Sequence, residues 1–198
     1  MLRNFLMNKK RVAIFGGSFD PIHNGHLALA GEVLLRALAD EVWLMVTPQN
    51  PHKQGCALSD ERQRLRMVQL AVEDKPGMVA CDFEFTLPRP SYTLNTLKAL
   101  DAAFPDKEFS LLIGADNWEK FDRWYKGDEI LANYGIIVYP RGSEACPQLS
   151  QGVLWLPAEL HDVSSTMVRA AVNDGVCIAE FVPAAVAQYI KDNKMYKK

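Results

Sequence analysis

The sequence lacks the fingerprints of several large protein classes. Neither G-x-G-x-x-G nor G-x-x-x-x-G-K-[ST] occurs in its 198 residues, so phosphate would have to be held by something other than a dinucleotide-binding turn or a P-loop. The four cysteines (Cys56, Cys81, Cys146 and Cys177) stand far apart with no C-x-x-C. Neither a disulfide framework nor a zinc site follows from that spacing, and a reducing cytoplasm is the expected setting. No apolar run approaches the ~20 residues of a membrane span. The opening MLRNFLMNKK has no long apolar core and no small-residue cleavage site; residues 1–10 are read as an N-terminal extension rather than a secretory signal.

An excess of positive charge is missing too. The 22 Lys and Arg against 24 Asp and Glu leave a net charge of −2, so no global field advertises nucleic acid or a membrane as partner. Arg62, Arg64 and Arg66 look like a basic cluster, but a spacing of two scatters them around a helix, and a solvated face is the expectation. Any anionic ligand must therefore be held locally. Surface apolarity leaves a homo-oligomer open.

What the chain does have is an ordinary globular composition, 48% hydrophobic and 23% charged, with no repeat, low-complexity tract or linker. It reads as one domain over 1–198. Apolar strands alternate with amphipathic helices. Strands are expected at 11–16, 41–47, 78–82, 108–113 and 135–139, about five in all. Helices are expected at 25–39, from a Ser59 or Asp60 cap to about Asp74, and from about Tyr92, capped by Ser91, to Ala103. Further helices are expected at 165–173 and 183–193, the last with Pro183 in its first turn. This pattern implies an α/β fold: a Rossmann-like, open, mostly parallel sheet with helices on both faces and a helical C-terminal part. Ligands of such sheets bind beyond the carboxyl ends of the strands, where the chain places its least ordinary segments.

The first of these is FGGSFDPIHNGH, residues 15–26. Gly16 and Gly17 end a strand and let the backbone turn sharply and a ligand come close. Gly25 and His26 open a helix whose free N–H groups attract an anion. His23 and His26, three apart, can face one spot and donate to phosphate oxygens. A metal pair lacks the further Glu or Cys at ligand spacing, and no protein-held metal is expected.

The G-G-S-F-D-P-x-H-x-G-H pattern resembles the N-terminal motif of the nucleotidylyltransferases, and in its long form that of the bacterial nicotinate mononucleotide adenylyltransferases. The resemblance runs from about residue 11 to 193. It implies transfer of the adenylyl group of ATP to nicotinate mononucleotide, giving deamido-NAD and pyrophosphate, with Mg²⁺ accompanying ATP. SSTMVR (164–169) is similar to the family's S-S-T-x-x-R element: a Ser164 or Ser165 cap, Thr166 and Arg169 would form the second half of an ATP clamp. On this likeness Gly16, Gly17, Ser18, Phe19, His23 and His26 bind ATP, with Gly114 and Asp116 of the IGAD segment near its ribose. His23, His26 and Arg169 are the catalytic candidates. PQNPHK (48–53) resembles the loop that meets the mononucleotide phosphate, through Asn50, His52 and Lys53, although only Pro51 precedes the His where the family form has paired prolines. Ser91, Tyr92, Thr93, Trp124 and Tyr125 resemble the nicotinate pocket: a Trp124 ring to stack on the pyridine, and backbone donors near Thr93 and Tyr125 for its carboxylate. Arg141 is a further candidate for anion binding. Two readings stay open beside this one: another adenylyl- or cytidylyltransferase, such as phosphopantetheine adenylyltransferase, and a non-catalytic dinucleotide-binding protein.

Overall fold

The structure, a computed structural model, describes residues 9–48, 58–141, 146, 149–158 and 162–197. Six strands, β1 (Lys10–Gly17), β2 (Glu41–Val46), β3 (Met78–Cys81), β4 (Lys107–Gly114), β5 (Gly135–Tyr139) and β6 (Val153–Trp155), form one sheet. All pair in parallel, in the order β3-β2-β1-β4-β5-β6. That is the doubly wound order, and it reverses between β1 and β4. Alternation along the strands divides the core. Ala13, Phe15, Leu44 and Leu112 face one layer of helices, whereas Val12, Ile14, Trp43 and Ile113 face the other.

The first layer contains α1 (Asn24–Leu35), α2 (Glu61–Val72), α6 (Ser165–Asn173) and α7 (Ala184–Asp192); the second contains α3 (Thr93–Ala103), α4 (Ala115–Trp118) and α5 (Gly127–Asn133). The expected mostly parallel sheet, helices on both faces and helical C-terminal part are all present. Among the described residues no helix is long and apolar enough to cross a membrane.

Several boundaries differ from the sequence pattern for identifiable reasons. Helix α1 stops at Leu35, short of the expected residue 39, because Ala37 takes a left-handed φ of 51°. The apolar pattern runs on since Leu38 and Ala39 still pack against the core. Helix α2 ends at Val72, before Asp74, and its cap is Asp60, which accepts the N–H groups of Arg62 and Gln63 at 2.9 and 3.2 Å. Ser59 instead offers its carbonyl to Arg64. Tyr92, not Ser91, occupies the cap position of α3, and no side chain caps that helix. Pro183 is the cap residue of α7, one position before its first turn. Strand β6 went unanticipated because three residues are too few to show a period.

Candidate active site

The carboxyl ends of the parallel strands share one edge of the sheet, and the site is built there around the gap between β1 and β4. Gly16 lies exposed at that edge, and a Cβ on it would meet nothing nearer than Thr47 Cγ2, at 3.9 Å. Ligand atoms can therefore approach the β1 backbone closely. The sharp turn falls not on the glycines but on Phe19, whose φ is 48°. Its ring folds back over Gly17, where a Cβ would stand 2.9 Å from it, so Gly17 is required by the packing of Phe19.

His23 precedes α1 in extended conformation, and His26 belongs to its first turn. Their rings stack with centroids 3.6 Å apart and planes 25° apart. The His23 backbone N–H donates to His26 Nδ1 at 3.3 Å. Edges of Phe15 and Phe19 close on His26, at 5.8 and 5.0 Å between centroids. Burial first, then the neighbouring His23 and Arg141, hold the His26 pKa well below its usual value. A neutral ring whose Nδ1 accepts a bond carries its proton on Nε2. The arrangement thus offers an uncharged N–H donor at the start of α1, where the Asn24 N–H already donates to the Phe181 carbonyl at 2.8 Å and the His26 N–H to the His23 carbonyl at 3.0 Å.

A second helix N-terminus lies beside the first. Ser164 caps α6 by accepting the Met167 N–H at 3.2 Å. Ser165 Oγ donates to the Pro21 carbonyl at 2.9 Å. Arg169 donates through Nη1 to the Asp20 carbonyl at 2.6 Å and through Nη2 to Thr166 Oγ1 at 3.2 Å. The α6 start and the Asp20–Pro21 turn are therefore one unit, which holds the guanidinium fork in a fixed orientation.

Across the sheet switch, Arg141 Nε meets Asp116 Oδ1 at 3.3 Å, and its guanidinium lies 5.4 Å from the centre of the Tyr139 ring. Tyr139 in turn edges Phe15, at 5.7 Å, so ring contacts connect this ion pair to His26. Gly114 leaves room for this pair: a Cβ would stand 2.5 Å from Asp116 Oδ1 and 2.7 Å from Arg141 Nε, so a larger residue would push the two side chains aside.

Of the residues expected to form the pyridine pocket, Tyr92 and Tyr125 touch, with ring centroids 4.8 Å apart, and both are exposed. Thr93 is the first residue of α3, after half-buried Ser91. Trp124 is half-buried and packs on Phe121 at 5.2 Å. Asn50, His52 and Lys53 lie outside the described residues.

The expectation for the basic cluster is overturned at its middle member. Arg62 and Arg66 are exposed, but Arg64 is 1% exposed. It donates to the carbonyls of Ser59, Ser18, Thr47 and Pro48 at 3.0, 2.6, 2.9 and 3.1 Å. Two further residues escaped the sequence reading. Buried Asp20 accepts the Ser59 N–H through Oδ2, at 3.2 Å, and the Tyr196 hydroxyl through Oδ1, at 2.6 Å. Among the described residues no group of three or more His, Cys, Asp or Glu is placed to hold a metal ion.

The pattern of the cytidylyltransferase-like family matches residues 14–171. A probable nicotinate-nucleotide adenylyltransferase of Bacteroides thetaiotaomicron is 42% identical over 93% of this chain and 93% of its own. The chain belongs to the nicotinate-nucleotide adenylyltransferase family. Another member, the probable nicotinate-nucleotide adenylyltransferase of Bacteroides fragilis, is 44% identical over 93% of this chain and 92% of its own. The Plasmodium falciparum nicotinic acid mononucleotide adenylyltransferase, solved in complex with NaAD, shares the fold. Its TM-score is 0.75 at 18% identity, over 94% of this chain and 97% of that one.

Proposed function

We propose that the protein transfers the adenylyl group of ATP to nicotinate mononucleotide, giving deamido-NAD and pyrophosphate. The observation that supports this reading most directly is the stacked His23–His26 pair at the start of α1, with the Arg169-bearing start of α6 fastened to the same turn. Two helix N-termini, a neutral imidazole donor and an oriented guanidinium suit a polyphosphate whose α-phosphorus is under attack.

A phosphate oxygen of the mononucleotide attacks the α-phosphorus. The new P–O bond forms as the bond to the bridging oxygen breaks, and pyrophosphate leaves with that electron pair. A phosphate nucleophile has no proton to lose at neutral pH, so no general base is needed and Asp116 serves the ATP ribose. Gly16, Gly17, Ser18 and Phe19 line the ATP side. Ser164, Ser165, Thr166 and Arg169 take the polyphosphate, and His23 and His26 meet the charge that develops at the α-phosphate. Catalysis is positioning plus electrostatic stabilisation.

On the acceptor side, Tyr92, Tyr125 and Trp124 supply aromatic surface for the pyridine ring. Backbone donors near Thr93 and Tyr125 favour a carboxylate over an amide. Asn50, His52, Lys53 and Arg141 are assigned to the mononucleotide phosphate. Mg²⁺ enters with ATP as part of the substrate, held by phosphate oxygens and water, as its reluctance to dehydrate favours. A cytoplasm, where ATP is made and spent, is the setting that suits this chemistry.

The test is pyrophosphate release with ATP and Mg²⁺, offering nicotinate mononucleotide, nicotinamide mononucleotide or phosphopantetheine separately. Release with the first alone is the expected result. Release with phosphopantetheine would discard the pocket assignment, and ATP binding without release from any acceptor would favour a binding protein.

A further inference from the structure

The ladder between β1 and β2 ends where Gly17 pairs with Val46, and one more bond follows, from Thr47 N–H to the Gly17 carbonyl at 2.9 Å. Beyond it the two chains part, one into the Ser18–Pro21 turn of the site and the other through Thr47 and Pro48. Backbone carbonyls in such a fork have lost their ladder partners and need donors. Arg64 supplies them. From the first turns of α2 it reaches the Ser18 carbonyl after β1, the Thr47 and Pro48 carbonyls after β2, and the Ser59 carbonyl before its own helix.

A guanidinium is suited to this task because its donors lie in one plane and point outward in several directions. An ammonium at the same place would bond fewer carbonyls in a less fixed geometry. The cost of burying the charge is evident in a pKa lowered by desolvation, with Asp20 and Glu61 nearby opposing it. An arginine kept there at that cost must do more than fill space, since an apolar side chain fits a helix–sheet contact more cheaply.

We propose that Arg64 is a positioning residue for the adenylyl transfer, holding the chain segments that leave β1 and β2 in fixed relation so that the two sides of the cleft are formed before substrate arrives. The inference rests on the function proposed above for its kinetic arm and on the hydrogen bonds alone for its structural arm. Arg64 is 1% exposed with its guanidinium engaged by four backbone carbonyls, and His26 is oriented by its own contacts to His23, Phe15 and Phe19. The effect of removing Arg64 therefore falls on substrate binding more than on turnover.

The experiment compares wild type with Arg64→Lys, Arg64→Gln and Val72→Ala. The last variant trims a buried residue at the far end of the same helix. Melting temperature, KM and kcat for both substrates, and amide hydrogen exchange over residues 15–20 and 44–48 are measured on each. Arg64→Lys and Arg64→Gln are expected to raise both KM values by about tenfold, to change kcat by no more than about threefold, and to speed exchange in both segments. Val72→Ala is expected to lower the melting temperature while leaving KM and those exchange rates as in wild type. If the Arg64 variants instead behave like Val72→Ala, or if neither folds at temperatures where Val72→Ala does, the residue serves stability alone and the proposal is overturned. A wild-type protein that releases no pyrophosphate would defeat the proposed function and leave the exchange comparison to decide the role of Arg64.

Discussion

The His23 ring lies on the His26 ring at 3.6 Å while the His23 backbone N–H donates to His26 Nδ1. One residue thus fixes both the orientation and the tautomer of the other. The stack also disfavours a positive charge on both rings, because two imidazolium ions at that separation repel in partly dry surroundings. His26 is left as a neutral Nε2–H donor. Replacing it with Ala should reduce kcat by about a hundredfold to a thousandfold, the range for loss of one oriented donor to a developing charge. The melting temperature should fall as well, since the ring packs on His23, Phe15 and Phe19, but the variant should still fold. Gln can place an amide N–H near the Nε2 position, so His26→Gln should retain more turnover than His26→Ala. Steady-state kinetics on the two variants tests the tautomer; equal losses would remove the Nε2 donor from the mechanism.

The same environment sets a pH dependence. His26 titrates well below its usual 6.5 in the folded protein. As pH falls through about 6.5 the unfolded chain takes up the proton first, and stability declines until the folded form titrates too. Above that value the contribution is fully present. Urea unfolding midpoints should therefore be flat with respect to this group above about pH 7 and fall in mild acid, and His26→Gln should flatten that acid slope. A midpoint in His26→Gln that falls as steeply as in wild type would assign the slope to other groups.

Much of this site could be read from the residues in order, because its parts are local. The two histidines and the glycines occupy one strand–turn–helix segment, and Ser164 with Arg169 occupies one helix start. Arg64 shows where such reading went astray. Its spacing to Arg62 and Arg66 suggested a solvated face, yet Arg64 also heads the series Arg64, Met67, Val68, Ala71, Val72, which is the buried face of α2. The helical period through the apolar residues would have placed it inward. Asp20 and Tyr196, by contrast, meet across 176 positions of chain, and no local pattern reports a contact of that kind. The Phe19 turn was hidden for a related reason: the sharp turn was assigned to the neighbouring glycines, which lack a Cβ, whereas the left-handed φ falls on Phe19, whose ring packs over Gly17.

Gly114 separates the partners of an ion pair. A methyl group there would overlap Asp116 Oδ1 and Arg141 Nε, both of which are side-chain atoms able to swing away. Gly114→Ala should therefore fold with a loss of about 1 kcal/mol or less, as the exposed pair contributes little to stability. It should raise the KM for ATP by roughly tenfold by displacing Asp116 from the ribose side. The discriminating measurement is the split between constants: His26→Ala acts on kcat, Gly114→Ala on KM. A kcat loss with unchanged KM in Gly114→Ala would detach Asp116 from ATP binding.

Tyr196 ties the C-terminal segment to the Ser18–Pro21 turn of the candidate site. Its hydroxyl donates to Asp20 Oδ1 at 2.6 Å, while the Asp20 backbone carbonyl accepts Arg169. Burial and the Asp20 charge raise the Tyr196 pKa, so the phenol stays a donor throughout the working range. Tyr196→Phe keeps the ring but leaves a buried carboxylate one donor short, which should cost about 1–3 kcal/mol in urea unfolding. Asp20→Asn keeps an acceptor for the hydroxyl but turns an amide NH2 toward the Ser59 N–H that Oδ2 accepted, so it should cost a similar amount through that second contact. If the bond serves that turn as well as the fold, Tyr196→Phe should also weaken ATP binding through the Arg169 orientation, and Asp20→Asn should not. Unaltered ATP affinity in Tyr196→Phe would make the tether a structural clasp and leave the Arg169 fork to be oriented by Thr166 and the Asp20 carbonyl alone.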